Sequence, residues 1–137
     1  MRILITGISG FAGSHLADHL LAGSGIEIFG TIKWRSNREN IQHLEDKIKL
    51  IECDVKDPYA VKACLELCRP DRIYHLAAQS YVPFSWRVPY ETLETNIIGE
   101  LNIFEAVRSL GLDPMIHIAG SSEEYGLVRP TTHAPPL

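Results

Sequence analysis

No stretch of these 137 residues is apolar for long enough to span a bilayer. The chain opens Met-Arg and then runs straight into an apolar strand pattern, which is not the build of a secretory leader, so a cytoplasmic protein is the expectation. Cysteine is scarce. Cys53, Cys64 and Cys68 make an odd number with no Cys-x-x-Cys pair, which argues against a disulfide framework and against a zinc site. Cys64 and Cys68, four apart, share one face of a helix and read as core. Positive charge is not in excess either. Thirteen Lys+Arg against 17 Asp+Glu give a net charge of -4, and neither nucleic acid nor an anionic membrane is expected as a partner. His15, His19 and His43 have no carboxylate or cysteine at ligand spacing, so no metal is expected. Internal repeats and an interdomain linker are both missing.

What is present is the composition of one globular domain, with 45% hydrophobic and 22% charged residues. Arg2-Ile3-Leu4-Ile5-Thr6 is a short β-branched run ending at glycine, the pattern of a strand buried on both faces. A helix is expected over 14–22, where Leu16, Leu20 and Ala17, Leu21 recur at four-residue spacing. Strands are expected at 26–32, 48–55, 73–78 and 115–119, with a short helical piece at 41–44. Asp57-Pro58 opens a helix carrying Val61, Cys64, Leu65 and Cys68 at i, i+3, i+4, i+7, and Arg69-Pro70-Asp71 ends it. A loop is expected over 79–89. A long helix follows over 90–110, with Ile97, Leu101, Phe104 and Val107 as its core face and Gly111 as its cap. Strand alternates with helix five times. Such alternation predicts a parallel sheet with right-handed crossovers, covered on both faces. The fold expected is α/β, a Rossmann-type doubly wound three-layer α/β/α domain over 1–130, with an irregular, Pro-rich tail over 131–137.

The chemistry concentrates at the ends of the strands. Gly7-Ile8-Ser9-Gly10-Phe11-Ala12-Gly13 lies between a buried strand and an amphipathic helix, the context a phosphate-binding loop requires. Gly7 permits the tight turn, Gly10 lets the backbone approach a pyrophosphate, and Gly13 lets helix and strand pack closely. The helix N-terminus offers free N–H groups and a positive dipole end to the phosphates. The bland alternative is a plain strand-to-helix turn. At the end of the second strand, NAD would want an acidic residue for its ribose hydroxyl. The sequence has Lys33-Trp34-Arg35-Ser36-Asn37-Arg38 there, and Arg35, Ser36 and Arg38 suit a 2′-phosphate. That favours NADP over the alternative, NAD. A solvated basic turn is the competing reading. Trp86 reads equally as a residue lining the site and as a partly buried one, and Asn96 as a brace for the active-site strand.

Thr6-Gly7-Ile8-Ser9-Gly10-Phe11-Ala12-Gly13 resembles the T-G-x-x-G-F-x-G loop of extended short-chain dehydrogenases/reductases, which include nucleotide-sugar epimerases, dehydratases and reductases. Asp54-Val55 looks like that family's adenine-contacting pair. His75-Leu76-Ala77-Ala78-Gln79-Ser80 looks like its H-x-A-A-x segment beside the nicotinamide. The stretch from Ala77 to Val82 is similar to the A-A-Q-S-x-V of GDP-mannose 4,6-dehydratases. Ser121-Ser122-Glu123-Glu124-Tyr125-Gly126 is similar to a catalytic strand end shared by those enzymes and by GDP-4-keto-6-deoxymannose reductases. The resemblance runs from Met1 to about Pro130. It implies the 4,6-dehydration of a GDP-sugar, GDP-mannose to GDP-4-keto-6-deoxymannose, with a reductase, an epimerase or a non-catalytic nucleotide-binding module as rivals. It further implies that Ser121 holds a sugar hydroxyl and that Glu123 is the acid/base, with Ser122 between them. Pairing of copies through the 90–110 helix is implied as well.

One family element does not occur. The residues four after Tyr59, Tyr74, Tyr81, Tyr90 and Tyr125 are Ala63, Ala78, Ser85, Glu94 and Arg129, and no lysine follows Lys62, so there is no Tyr-x-x-x-Lys. The expectation is a C-terminally truncated domain that binds a dinucleotide but does not complete the reaction alone.

Overall fold

A computed structural model of the chain describes residues 1–121 and 126. At its centre is β1, Arg2–Thr6, whose Ile3, Leu4 and Ile5 are almost wholly buried, as a β-branched strand covered on both faces must be. β2, Glu27–Ile32, and β4, Arg72–His75, pair with it in parallel on either side. β3, Lys49–Glu52, lies outside β2, and β5, Met115–Ile118, outside β4, giving the order β3-β2-β1-β4-β5. The chain therefore reverses direction across the sheet between β1 and β4. At such a switch point the connections leave in opposite directions and open a crevice beyond the strand ends, where ligands bind in this class of sheet. The doubly wound parallel sheet expected from the alternation of elements is what the chain forms.

Helices cover both faces. α1, Phe11–Leu21, and a 3₁₀ turn, Glu39–Leu44, close one face over Ile3, Ile5, Ile28 and Ile32. α2, Pro58–Cys68, closes the other, with Val61, Cys64, Leu65 and Cys68 against Leu4, Phe29 and Ile73. The helical stripe expected on α2 is thus the buried one. Asp57 caps this helix by accepting the Tyr59 and Ala60 N–H groups at 2.9 and 3.3 Å. The three cysteines are free and buried in this core. The Cys53 and Cys68 sulfurs beside it, together with burial, push the Cys64 thiol up, so it stays protonated and packs as an apolar group.

Other elements differ from the sequence-based expectation. α1 begins at Phe11 rather than 14, because the extended backbone of Gly10 is itself the cap. β3 ends at Glu52 and β4 at His75, so Cys53–Val55 and Leu76–Ala78 lie beyond the strands. The expected loop over 79–89 contains a short helix, α3, Val82–Arg87, started by Pro83 in its first turn. The expected single helix over 90–110 is three pieces: α4, Pro89–Leu93, a π-helical turn, Glu94–Ile98, and α5, Gly99–Ser109. Its buried stripe is Gly99, Ile103 and Ala106, with Val107 partly buried beside it, while Ile97, Leu101 and Phe104 are exposed. The helix carries two apolar stripes, and the small residues decide between them. A Cβ at Gly99 would stand 2.8 Å from a Val55 methyl, so only the Gly99 face lets α5 approach the β3 end this closely. Among the described residues no helix is long and apolar enough to cross a membrane.

Candidate functional site

A cleft of about 190 Å³ opens beyond the C-terminal ends of the strands, at the switch point. Four of the five strands, β1 to β4, deliver a short segment to it. β1 delivers Gly7, Ser9 and Gly10, and β3 delivers Cys53, Asp54 and Val55. β4 delivers Leu76, Ala77 and Ala78. β2 contributes Thr31 and Ile32 from its end, with Lys33 and Ser36 beyond it, and Thr95 enters from the π-helical turn.

The glycine loop is built by close approach. Gly7 has φ of +68°, and a Cβ there would lie 2.9 Å from the Ala77 backbone, so the turn after β1 rests directly on the loop after β4. A Cβ at Gly13 would lie 2.5 Å from the Gly7 carbonyl oxygen, which is how α1 is brought down onto the loop. The α1 N-terminus ends at this loop, and no side-chain oxygen caps its amides. Its N–H groups and positive dipole end therefore suit an anion in the cleft. Asn40 on the 3₁₀ turn donates to the Ser9 carbonyl at 3.0 Å and braces the loop from outside. These observations fit a dinucleotide: a backbone cradle that tolerates no Cβ, and next to it a helix N-terminus free of side-chain caps.

Thr6 ties β1 to β4. Its hydroxyl oxygen accepts the N–H groups of Leu76 and Ala77, each at 3.1 Å, and its proton is directed to His75 Nδ1 at 2.7 Å. His75 is buried, and burial pulls its pKa below the ordinary histidine value, so the ring is neutral and accepts at Nδ1. The group that orients this histidine is thus a threonine hydroxyl. Asn96 in the π-helical turn accepts the Gln79 N–H at 2.7 Å and donates to the Gln79 carbonyl at 3.0 Å. It braces the loop after β4, next to the strand its position suggested. Lys56 lies between Glu91 and Glu94 at 3.1 and 3.4 Å, and its pKa is raised chiefly by its bond to Glu91. Asn102 donates to the Val55 and Lys56 carbonyls at 2.9 and 3.0 Å. The turn after β3 is fastened at two points to the helix that supplies Thr95.

Gly7, Ser9, Gly10, Ser36, Asp54, Val55, Leu76, Ala77 and Ala78 thus share one cleft. Gln79 lines the hollow next to it, with Lys33 and Thr95. Phe11, Ala12 and Gly13 form the first turn of α1 behind the loop. Phe11 is exposed, its ring edge-on to His15. Ser80 is exposed beyond Gln79. Arg35 and Arg38 are exposed and do not line the cleft, and Arg38 faces Glu45 at 3.8 Å. Among the described residues the cation lining the cleft is Lys33, which sequence reasoning passed over in favour of its arginine neighbours. Its signal was available: it is the first residue after β2, the position nearest the strand end. Thr31 and Thr95 were also missed, Thr95 because the π turn that aims it has no sequence signature. Trp86 is 83% exposed on α3 and is not among the residues lining this cleft, so the partial burial expected for it is not found. Ser121 is exposed at the end of the β5 connection, and Ser122 and Glu123 lie outside the described residues. No metal-binding cluster of His, Cys, Asp or Glu occurs among the described residues.

The family of GDP-mannose 4,6 dehydratases matches residues 4–135. The chain is 41% identical over 138 residues to a GDP-mannose 4,6-dehydratase of Vibrio cholerae serotype O1, covering 92% of this chain and 36% of that protein. It is 36% identical over 141 residues to GDP-mannose 4,6 dehydratase 2 of Arabidopsis thaliana, covering 93% and 38%. The chain therefore spans little more than a third of the length of these relatives. Among solved structures it is similar to a UDP-glucose 4-epimerase of Thermus thermophilus in complex with NAD, with a TM-score of 0.72 and 34% identity over 82% of this chain and 35% of that one. A UDP-glucose-4-epimerase from Stenotrophomonas maltophila shares the fold at a TM-score of 0.83 and 22% identity, over 99% of this chain and 40% of that one. On the strength of the match over residues 4–135, the chain belongs to the GDP-mannose 4,6-dehydratase family.

Proposed function

We propose that this chain is the dinucleotide-binding part of a cytoplasmic nucleotide-sugar 4,6-dehydratase that uses NADP and acts on GDP-mannose. The observation that carries the reading is the cleft itself. Its backbone is held against a glycine turn, a helix N-terminus ends at it, and Lys33 stands at its rim. The α1 end would hold a pyrophosphate, the turn after β2 with Asp54-Val55 the adenosine, and Leu76–Ala78 the nicotinamide. Lys33 lining the cleft, with Arg35 and Ser36 in the same turn, favours a 2′-phosphate, and no acidic side chain from the turn after β2 lines the cleft. NADP supplies hydride acceptance and return when bound. As the strand-end motif implies, Ser121 would hold a sugar hydroxyl and Glu123 carry the proton, with Ser122 between them in the sequence. With no Tyr-x-x-x-Lys in the 137 residues, binding without turnover is expected.

Calorimetric titration with NADP and with NAD tests this. NADP binds more tightly, and both Lys33→Ala and Arg35→Ala weaken NADP while changing NAD little. Equal affinity for the two cofactors would move the assignment to NAD, the cofactor held by the similar Thermus epimerase structure. That outcome would favour an epimerase over a dehydratase or reductase. Absence of any dinucleotide binding would defeat the reading. The exposed Ile97, Leu101 and Phe104 support pairing with a second copy through the 90–110 segment.

A further inference from the structure

Trp34 is 75% exposed, although a tryptophan left in water forfeits the burial of a large aromatic surface. It occupies the second position of a tight turn. Ser36 N–H donates to the Lys33 carbonyl at 3.0 Å, and Lys33 N–H donates back to Ser36 Oγ at 3.0 Å. Arg35, in the third position, has φ of +59°. A turn of this shape ordinarily places Gly or Asn there, because a larger side chain is strained in the left-handed region. The chain keeps a strained turn, closed by two hydrogen bonds, and that turn holds an indole out from the fold. Strain retained at such a point marks a positioned group.

What the indole borders is specific. Trp34 lines a hollow with Lys33, Glu52, Cys53, Asp54, Asp57 and Ala60. Lys33, Cys53 and Asp54 also line the main cleft, so this hollow is the cleft's outer continuation on the β2–β3 side. The opposite wall is the start of α2, whose Asp57 is engaged in capping. A flat aromatic face, a lysine and three carboxylates, Glu52, Asp54 and Asp57, line the hollow, and the strained Arg35 follows Trp34 in the turn. A planar heterocycle joined to a phosphorylated ribose matches that set: stacking is tolerant of the ring's identity, and the cations meet the phosphate.

We propose that Trp34 is the stacking platform for the purine of the bound dinucleotide, so that Lys33 and Arg35 set the preference for the ribose phosphate while Trp34 holds the base. This rests on the dinucleotide reading above.

The test uses the full 137-residue chain carrying Trp86→Phe, which leaves Trp34 as its single indole. Titration with adenosine 2′,5′-bisphosphate, which has the base and the phosphate but no nicotinamide, quenches Trp34 emission with the affinity that calorimetry gives. Trp34→Leu weakens this probe and NADP by roughly tenfold or more, and Trp34→Phe restores most of the loss. The melting temperature of the ligand-free Trp34→Leu chain stays at that of its parent, because the side chain is exposed. NADP binding that is indifferent to Trp34→Leu, or that saturates without quenching, overturns the inference while leaving the dinucleotide reading intact. A drop in the ligand-free melting temperature also overturns it, by making the loss structural. A parent chain that binds no dinucleotide defeats the reading beneath it.

Discussion

At the residue scale, the Thr6–His75 contact sets the chain's response to acid. The Thr6 hydroxyl accepts from two backbone amides, so its single proton has only His75 Nδ1 as acceptor, and a protonated ring would face a donor with a donor. Burial already depresses the His75 pKa in the folded chain. Below the unfolded value of about 6.5 the unfolded chain binds a proton that the native chain refuses, so stability rises with pH there. The contribution is present above that value and is lost as pH falls through the lower, folded value. Urea midpoints measured from pH 7.5 down to 5 should decline, and His75→Gln should flatten the decline while lowering stability throughout. A wild-type profile flat across that range would show that the ring takes up its proton in the fold.

At the element scale, α2 has contrasting ends. Its N-terminus is well made, with Asp57 capping two amides and Pro58 in the first turn. Its C-cap is Arg69 at φ +40° and ψ +65°, a left-handed conformation that glycine enters freely and arginine does not. Arg69→Gly should therefore stabilise the chain by about 0.5–1 kcal/mol, read as a raised urea midpoint at unchanged slope. Asp57→Ala should cost about 1 kcal/mol. If Arg69→Gly destabilises, the side chain itself contributes something that its backbone strain conceals. The π-helical turn shows the opposite relation between sequence and structure. Thr95 and Asn96 meet the cleft and its loop because the helix widens there, and the 90–110 sequence carries no mark of it.

At the scale of the whole molecule, one face is completed and another is left open. α2 and α5 meet over the sheet along small residues, while Ile97, Leu101 and Phe104 point away from it. If copies pair through this face, Leu101→Glu with Phe104→Glu should shift sedimentation toward the monomer without loss of helical circular dichroism. An unchanged mass would remove the pairing reading and leave the dinucleotide reading untouched.

Much of the architecture was legible because it depends on local pattern. A β-branched run ending at glycine, the i, i+3, i+4, i+7 stripe of α2 and the spacing of Gly7, Gly10 and Gly13 are fixed by short-range geometry, and the sheet order follows from alternation and handedness. Which apolar stripe of α5 is buried, which cation lines the cleft and what orients His75 are long-range outcomes. Val55 meets Gly99 and Thr6 meets His75 across spans of 44 and 69 residues, and only the assembled sheet brings them together. The sequence by itself determined the parallel sheet and the glycine turn after β1, because each is encoded in the conformational demands of a few consecutive residues. Only the tertiary structure decided that Lys33, not Arg38, stands in the cleft, because a side chain's partner depends on what the rest of the fold places within its reach.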